Sequence, residues 1–226
     1  MHRIHREAHG TDGPLVVLTH GWGDTGATWE HQVGPLADRA RVVTWDLLGH
    51  GRSDAPEDPA AYSHERALRD LEDIVGDERA VLIGHSFGGQ LSLSFTLRHP
   101  DGVAALGLVA TGPGYRDPAG RQAWNDRIEK TARAEEAKGN LARAHSIRGF
   151  VTQHDSEIMD GAPRITQPTT VIVGAKDTTF LAAADWFERK LGHATKVIVP
   201  DAGHAVFRHQ PETVNRALIA LVDAAT

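Results

Sequence analysis

The chain has 226 residues, 40% of them hydrophobic and 24% charged, with a formal net charge of -6. That balance suits one soluble globular domain rather than a disordered chain, and it leaves no basic footprint for nucleic acid or an anionic membrane surface. Without cysteine, disulfides, thiolate metal sites and a cysteine nucleophile are excluded.

No apolar run approaches the ~20 residues that cross a bilayer. Residues 1–10 lack the apolar stretch of a secretion signal, so a cytoplasmic protein is expected. Residues 2–8 alternate loosely and are expected as an edge strand. His2, His5 and His9 crowd there, but on a strand positions 2 and 5 face opposite sides, and no metal or other cofactor is expected. Leu15–Thr19 is a short apolar run, as in a buried strand of a parallel sheet, and it ends at His20-Gly21-Trp22-Gly23. Residues 29–39 read as a helix interrupted at Gly34-Pro35, and residues 41–47 as a strand entering a turn-rich loop. Ser63 is placed to cap a helix to about residue 75, with Leu68, Leu71 and Val75 on one face.

Residues 80–83 form another apolar run. It enters Gly84-His85-Ser86-Phe87-Gly88 and then a helix-like stretch to Arg98. Strand, sharp turn and helix around G-x-S-x-G make a nucleophile elbow, in which a strained serine holds its hydroxyl above the end of the sheet. The glycines are needed because side chains there would collide with the neighbouring strand and helix. His99-Pro100 stops the helix, and residues 103–110 form a further strand. Residues 119–144 are charged and helical, with few apolar anchors (Trp124, Ile128, Leu141), so they are expected to cover something rather than form core. Thr169–Gly174 and residues 195–200 read as strands, and residues 180–191 and 211–224 as helices. Strands alternating with helices imply a single α/β domain over residues 1–226: an open, mostly parallel β-sheet with helices on both faces.

Functional groups in such a sheet collect at the carboxyl ends of strands. A serine nucleophile needs a base, and the base needs an acid to hold its tautomer. Asp177 follows the strand at 169–174, and His204 follows the strand at 195–200. The order Ser86, Asp177, His204 is the one that goes with this elbow. Asp177 could instead cap the helix beginning nearby, and Asp155 and Asp160 are rival acids. The oxyanion hole is expected from the backbone N–H groups of Phe87 and of Trp22 in the Gly-rich loop after the strand at 15–19. The side chains expected against substrate are Trp22, His85, Trp124, Phe180 and Val206. For Trp124 the alternative is a helix anchor.

With these motifs, and with Asp46-Leu47-Leu48-Gly49-His50-Gly51-Arg52-Ser53, the chain resembles an α/β-hydrolase of the cap-bearing branch. That branch includes esterases, lactonases, C–C bond hydrolases and cofactor-free perhydrolases. The resemblance covers residues 1–111 and about 165–226, and it implies that residues 46–53 brace the elbow rather than touch substrate. It also implies a cap at about 112–165, which here has room for one long helix and a second, and so looks short. Serine at the nucleophile position sets the chain apart from the epoxide hydrolase and haloalkane dehalogenase branches, which use aspartate. The expected activity is hydrolysis of a small carboxylic ester or lactone through an acyl-enzyme. C–C cleavage of β-diketone-like substrates and perhydrolysis are the alternatives, and a binding module on a hydrolase scaffold is a different class. The expected partner is a small-molecule substrate, with neither nucleic acid nor membrane.

Overall fold

The computed structural model describes residues 2–225. Seven strands form one sheet: β1 (Arg6–His9), β2 (Leu15–Thr19), β3 (Arg41–Trp45), β4 (Ala80–His85), β5 (Val103–Val109), β6 (Thr169–Gly174) and β7 (Ala194–Val199). Their order across the sheet is β1-β3-β2-β4-β5-β6-β7. β1 pairs antiparallel with β3, and every other pairing is parallel. The sheet is therefore open and mostly parallel, and the edge strand on its N-terminal side spans Arg6–His9 rather than residues 2–8.

The central strands are apolar at successive positions because both faces are covered. Leu15 and Val17 join a core cluster on one face, and Val16 and Leu18 a cluster on the other. β4 repeats the pattern, with Leu82 on the first face and Val81 and Ile83 on the second. Helices α1 (Glu30–Ala37), α2 (His64–Val75) and α3 (Phe87–Arg98) connect the first five strands. The insertion after β5 folds as α4 (Pro118–Ala137), α5 (Leu141–Val151) and the short α6 (Glu157–Gly161). Helices α7 (Leu181–Lys190), α8 (Val206–His209) and α9 (Pro211–Ala224) complete the chain. α1 packs with α9 on one face, whereas α2, α3 and α7 lie on the other.

Local chemistry sets the boundaries. The Ser63 hydroxyl accepts the Arg66 N–H at 3.1 Å and starts α2, and Gly76 ends it with a φ of 60°. Pro35 sits inside α1 without ending it, where the sequence suggested an interruption. The charged segment after residue 118 breaks at Gly139, with a φ of 80°, into two helices, and α5 runs seven residues beyond the expected end at 144.

The two cap helices differ in attachment. Their shared seam is small: Ile128, Ala132, Ala144 and Ile147, with Trp22, Trp124 and Val151 against them. Ion pairs from Arg148 to Glu129 and Glu136 zip the hairpin from outside. α5 is also locked to the body. A Cβ on Gly149 would lie 2.3 Å from the Tyr62 carbonyl oxygen, so only glycine permits this approach. Phe150 is buried, stacked on Phe87 at 5.3 Å between centroids and edge-on to Tyr62.

Candidate active site

Ser86 caps α3 with a φ of 51° and ψ of -115°, a conformation that costs a residue other than glycine about 1–3 kcal/mol and persists where the surroundings enforce it. Those surroundings are visible. The Ser86 N–H donates to the Val109 carbonyl at 2.9 Å, and the Thr111 hydroxyl donates to the Ser86 carbonyl at 2.6 Å. A Cβ on Gly84 would lie 2.2 Å from the Gly88 carbonyl oxygen, and one on Gly88 would lie 2.4 Å from the Thr19 carbonyl oxygen. β4 thus turns into α3 against β2 with no room for side chains, as the elbow spacing requires.

β6 and β7 bring the acid and the imidazole together. The Gly174 Cα faces the carbonyls of Ala202 and Gly203, which lets the loops after the two strands pack closely. His204 Nδ1 lies 2.8 Å from Asp177 Oδ2. A carboxylate only accepts, so Nδ1 carries the proton and Nε2 is left as a basic nitrogen. The Asp177 side chain is 6% exposed and that of His204 44%, so the acid is enclosed and the imidazole reaches the surface of the site. Asp155 and Asp160 are exposed. The former takes the Glu157 N–H, and the latter pairs with Ser156 and Arg116, so neither meets His204. The Ser86 hydroxyl makes no hydrogen bond to His204 in this structure. The Phe180 ring stacks on the His204 ring at 5.0 Å.

The loop after β2 runs beside the nucleophile. A Cβ on Gly21 would sit 3.1 Å from the Ser86 Cβ and 2.7 Å from His85 Nδ1. Among the described residues the backbone N–H groups of Trp22, Phe87 and Gly88 have no acceptor, whereas those of Gly89 and Gln90 turn back to the Ser86 carbonyl.

Two buried histidines hold that loop. His20 Nε2 accepts the Leu47 N–H at 3.0 Å, so its Nδ1–H donates to the Gly21 carbonyl at 2.7 Å. His50 Nε2 accepts the Gly23 N–H at 3.1 Å, and its Nδ1–H donates to the Leu48 carbonyl at 3.1 Å. Burial, above all, pushes His20 down to about 4 and His50 to about 3, so both stay neutral and keep these acceptors. Asp46 adds bonds from the N–H groups of Gly26, at 2.7 Å, and Arg52, at 2.8 Å. Residues 46–53 therefore brace the Gly-rich loop, where the sequence reading had them brace the elbow.

Three expected substrate contacts lie elsewhere. Val206 is fully enclosed in the core, and His85 is 3% exposed. His85 Nε2–H donates to the His204 carbonyl at 3.2 Å, and burial holds its pKa well below the ordinary imidazole value. Trp124 lies in the α4–α5 seam, its indole N–H donating to the Val151 carbonyl at 3.0 Å, which is the anchoring alternative. Sequence reasoning missed Thr111 and Ser146. Thr111 follows β5, and that strand-end position is a usable signal. Ser146 accepts the Trp22 indole N–H at 3.0 Å across 124 residues of chain, and nothing local announces it.

Comparison with known proteins fits this geometry. Residues 14–157 match the model of the alpha/beta hydrolase fold family. An uncharacterized protein of Mycobacterium tuberculosis is 39% identical over 106 residues, 46% of this chain but 31% of that protein, so the match spans less than a third of that relative's length. The pimeloyl-acyl-carrier-protein methyl ester esterase of Nitrosomonas europaea is 29% identical over 94% of this chain and 96% of its own. Among solved structures, MenH from S. aureus superposes with a TM-score of 0.87 over 98% of both chains at 17% identity. Among the described residues no helix is long and apolar enough to cross a membrane.

Proposed function

Because the chain belongs to the alpha/beta hydrolase fold family, we propose that it is a serine hydrolase that cleaves a small carboxylic ester or lactone through an acyl-enzyme. The observation that carries this reading is the 2.8 Å contact of His204 with the enclosed Asp177, beside a serine at a φ of 51°. His204 Nε2 takes the proton as Ser86 Oγ attacks the carbonyl carbon. Negative charge then develops on the carbonyl oxygen, and the Trp22 and Phe87 N–H groups stabilise it, as does the N-terminus of α3. His204 returns the proton to the leaving alkoxide. Water, deprotonated by the same nitrogen, then releases the acid.

Similarity to a methyl ester esterase over nearly the whole chain supports the ester class. A serine at the elbow argues against epoxide opening, which in this family proceeds through an aspartate. The test is a panel of p-nitrophenyl esters, lactones and a vinylogous diketone. Wild type is expected to hydrolyse short esters or lactones, and Ser86→Ala to lose at least about a thousandfold in kcat/KM with an unchanged melting temperature. Cleavage of the diketone alone would replace ester hydrolysis with C–C hydrolysis, and retention of a tenth of the activity in Ser86→Ala would remove Ser86 from the mechanism.

A further inference from the structure

Among the described residues three other than glycine adopt a positive φ, and each stands just beyond the carboxyl end of a strand: Ser86 at 51°, Ala110 at 46° and Asp201 at 57°. Ser86 and the segment around Ala110 are joined by hydrogen bonds at both ends. The Ser86 N–H donates to the Val109 carbonyl at 2.9 Å, and the Ser86 carbonyl accepts the Thr111 hydroxyl at 2.6 Å. Val109-Ala110-Thr111 therefore brackets both backbone polar groups of the serine, with the left-handed Ala110 in the bend between them.

Thr111 is buried and held from both sides. The Ala110 N–H donates to the Ile172 carbonyl at 2.8 Å, and the Gly112 carbonyl accepts the Gln90 side-chain amide at 3.2 Å, so the backbone before and after Thr111 is pinned. Thr111 Cγ2 lies 2.6 Å from the place a Cβ on Gly89 would take, so the threonine fits against α3 only because the elbow continues into a second glycine. Among the described residues no other side chain bonds to the peptide that joins Ser86 to Phe87.

We propose that Thr111 is a positioning residue for the reaction centre: its hydroxyl holds the Ser86 nucleophile and aims the Phe87 N–H at the developing oxyanion. The Ser86 carbonyl and the Phe87 N–H belong to one planar trans peptide, so they point in opposite directions. Fixing the carbonyl therefore fixes the N–H. A donor on the carbonyl also polarises the peptide and makes its N–H a stronger donor in turn. The Gly89 and Gln90 N–H groups reach the same carbonyl at 3.0 and 3.3 Å, but both belong to α3 and move with it. Thr111 ties the peptide to the end of β5 instead. This role rests on the ester-hydrolase reading of Ser86 and adds to it a residue that acts through the elbow backbone.

Thr111→Val keeps the shape and removes the hydroxyl, whereas Thr111→Ser keeps the hydroxyl. Both are assayed with p-nitrophenyl butyrate, with kcat referred to the sites that diisopropyl fluorophosphate titrates. Thr111→Val is expected to lose about tenfold in kcat, the factor one hydrogen bond supplies, with KM within about twofold of wild type, and Thr111→Ser to stay within about threefold in kcat. The inhibition constant of benzeneboronic acid should rise by about tenfold in Thr111→Val. In that adduct Ser86 Oγ bonds to boron, the hydroxyl proton passes to His204, and a boron-bound oxygen takes the oxyanion position. If Thr111→Val does not fold, Thr111→Ala removes the same hydroxyl in a smaller volume and carries the same expectation. Wild-type kcat per titrated site in Thr111→Val, or an equal loss in Thr111→Ser, overturns the proposal and leaves the hydrolase reading standing. A lower melting temperature with unchanged kcat per site marks a structural role and overturns it too. If wild type neither turns over the ester nor takes up the fluorophosphate at Ser86, the hydrolase reading itself fails and the proposal falls with it.

Discussion

At Asp177 and His204, chemistry depends on which nitrogen carries a proton. The 2.8 Å contact fixes Nδ1–H toward the carboxylate and leaves Nε2 as the unprotonated ring nitrogen, the one proposed to serve Ser86. Asp177→Asn preserves the shape but can present an N–H to the ring and favour the wrong tautomer. We expect kcat to fall by about 10³–10⁴ with the melting temperature nearly unchanged, and Asp155→Asn and Asp160→Asn to stay near wild type. Loss of activity in either of those, with Asp177→Asn intact, would reassign the acid. These residues were legible because each stands where a strand meets a short glycine-bearing turn, and that signal is local. Val206 was misplaced because proximity to a motif does not report which way a side chain packs, and Trp124 takes the anchoring alternative. His20 and His50 look like surface histidines in a chain with 14 of them. Their role depends on burial and on backbone partners some thirty residues away.

Among the elements, the cap is the part the sequence described least well. Its sparse apolar content suggested a cover rather than core, with room for one long helix and a second. The structure divides it into an outer helix, α4, that packs on α5, and an inner helix, α5, wedged against Tyr62 by Gly149 and Phe150. Opening free energy follows contact with the body, so amides of α4 should exchange faster than those of α5. Equal protection measured by hydrogen exchange would contradict this division. α5 also grips the Gly-rich loop through the bond from the Trp22 indole to Ser146, with the Arg143 guanidinium 5.2 Å over the indole ring. Ser146 is fully buried, so Ser146→Ala strands an indole N–H and loosens the residue whose backbone N–H is proposed for the oxyanion hole. We expect kcat to fall about fivefold to tenfold, from one lost hydrogen bond, with KM little changed, and Ser146→Thr to restore it. A purely structural role would lower the melting temperature and leave kcat alone.

For the whole molecule, four histidines enter the fold neutral. Burial lowers His20, His50, His64 and His85 below the imidazole value of the unfolded chain, 6.5. Below that value the unfolded chain takes up protons that the folded one refuses, so stability falls as pH falls. The urea midpoint should be steady above about pH 7 and drop steeply between about pH 6.5 and 4. The ion-paired carboxylates, Glu129 among them, are held below their ordinary range and lose their contribution only at lower pH. A midpoint constant from pH 7 to 4.5 would contradict the burial of these neutral rings. The central claim is that Ser86 is a nucleophile activated by His204, and intact-protein mass spectrometry after treatment with diisopropyl fluorophosphate tests it most directly. We predict one adduct per chain, mapped to Ser86, absent in Ser86→Ala and formed at least about a hundredfold more slowly in His204→Gln, the scale of a lost general base. An adduct on another residue, or labelling of Ser86→Ala at the wild-type rate, would contradict it.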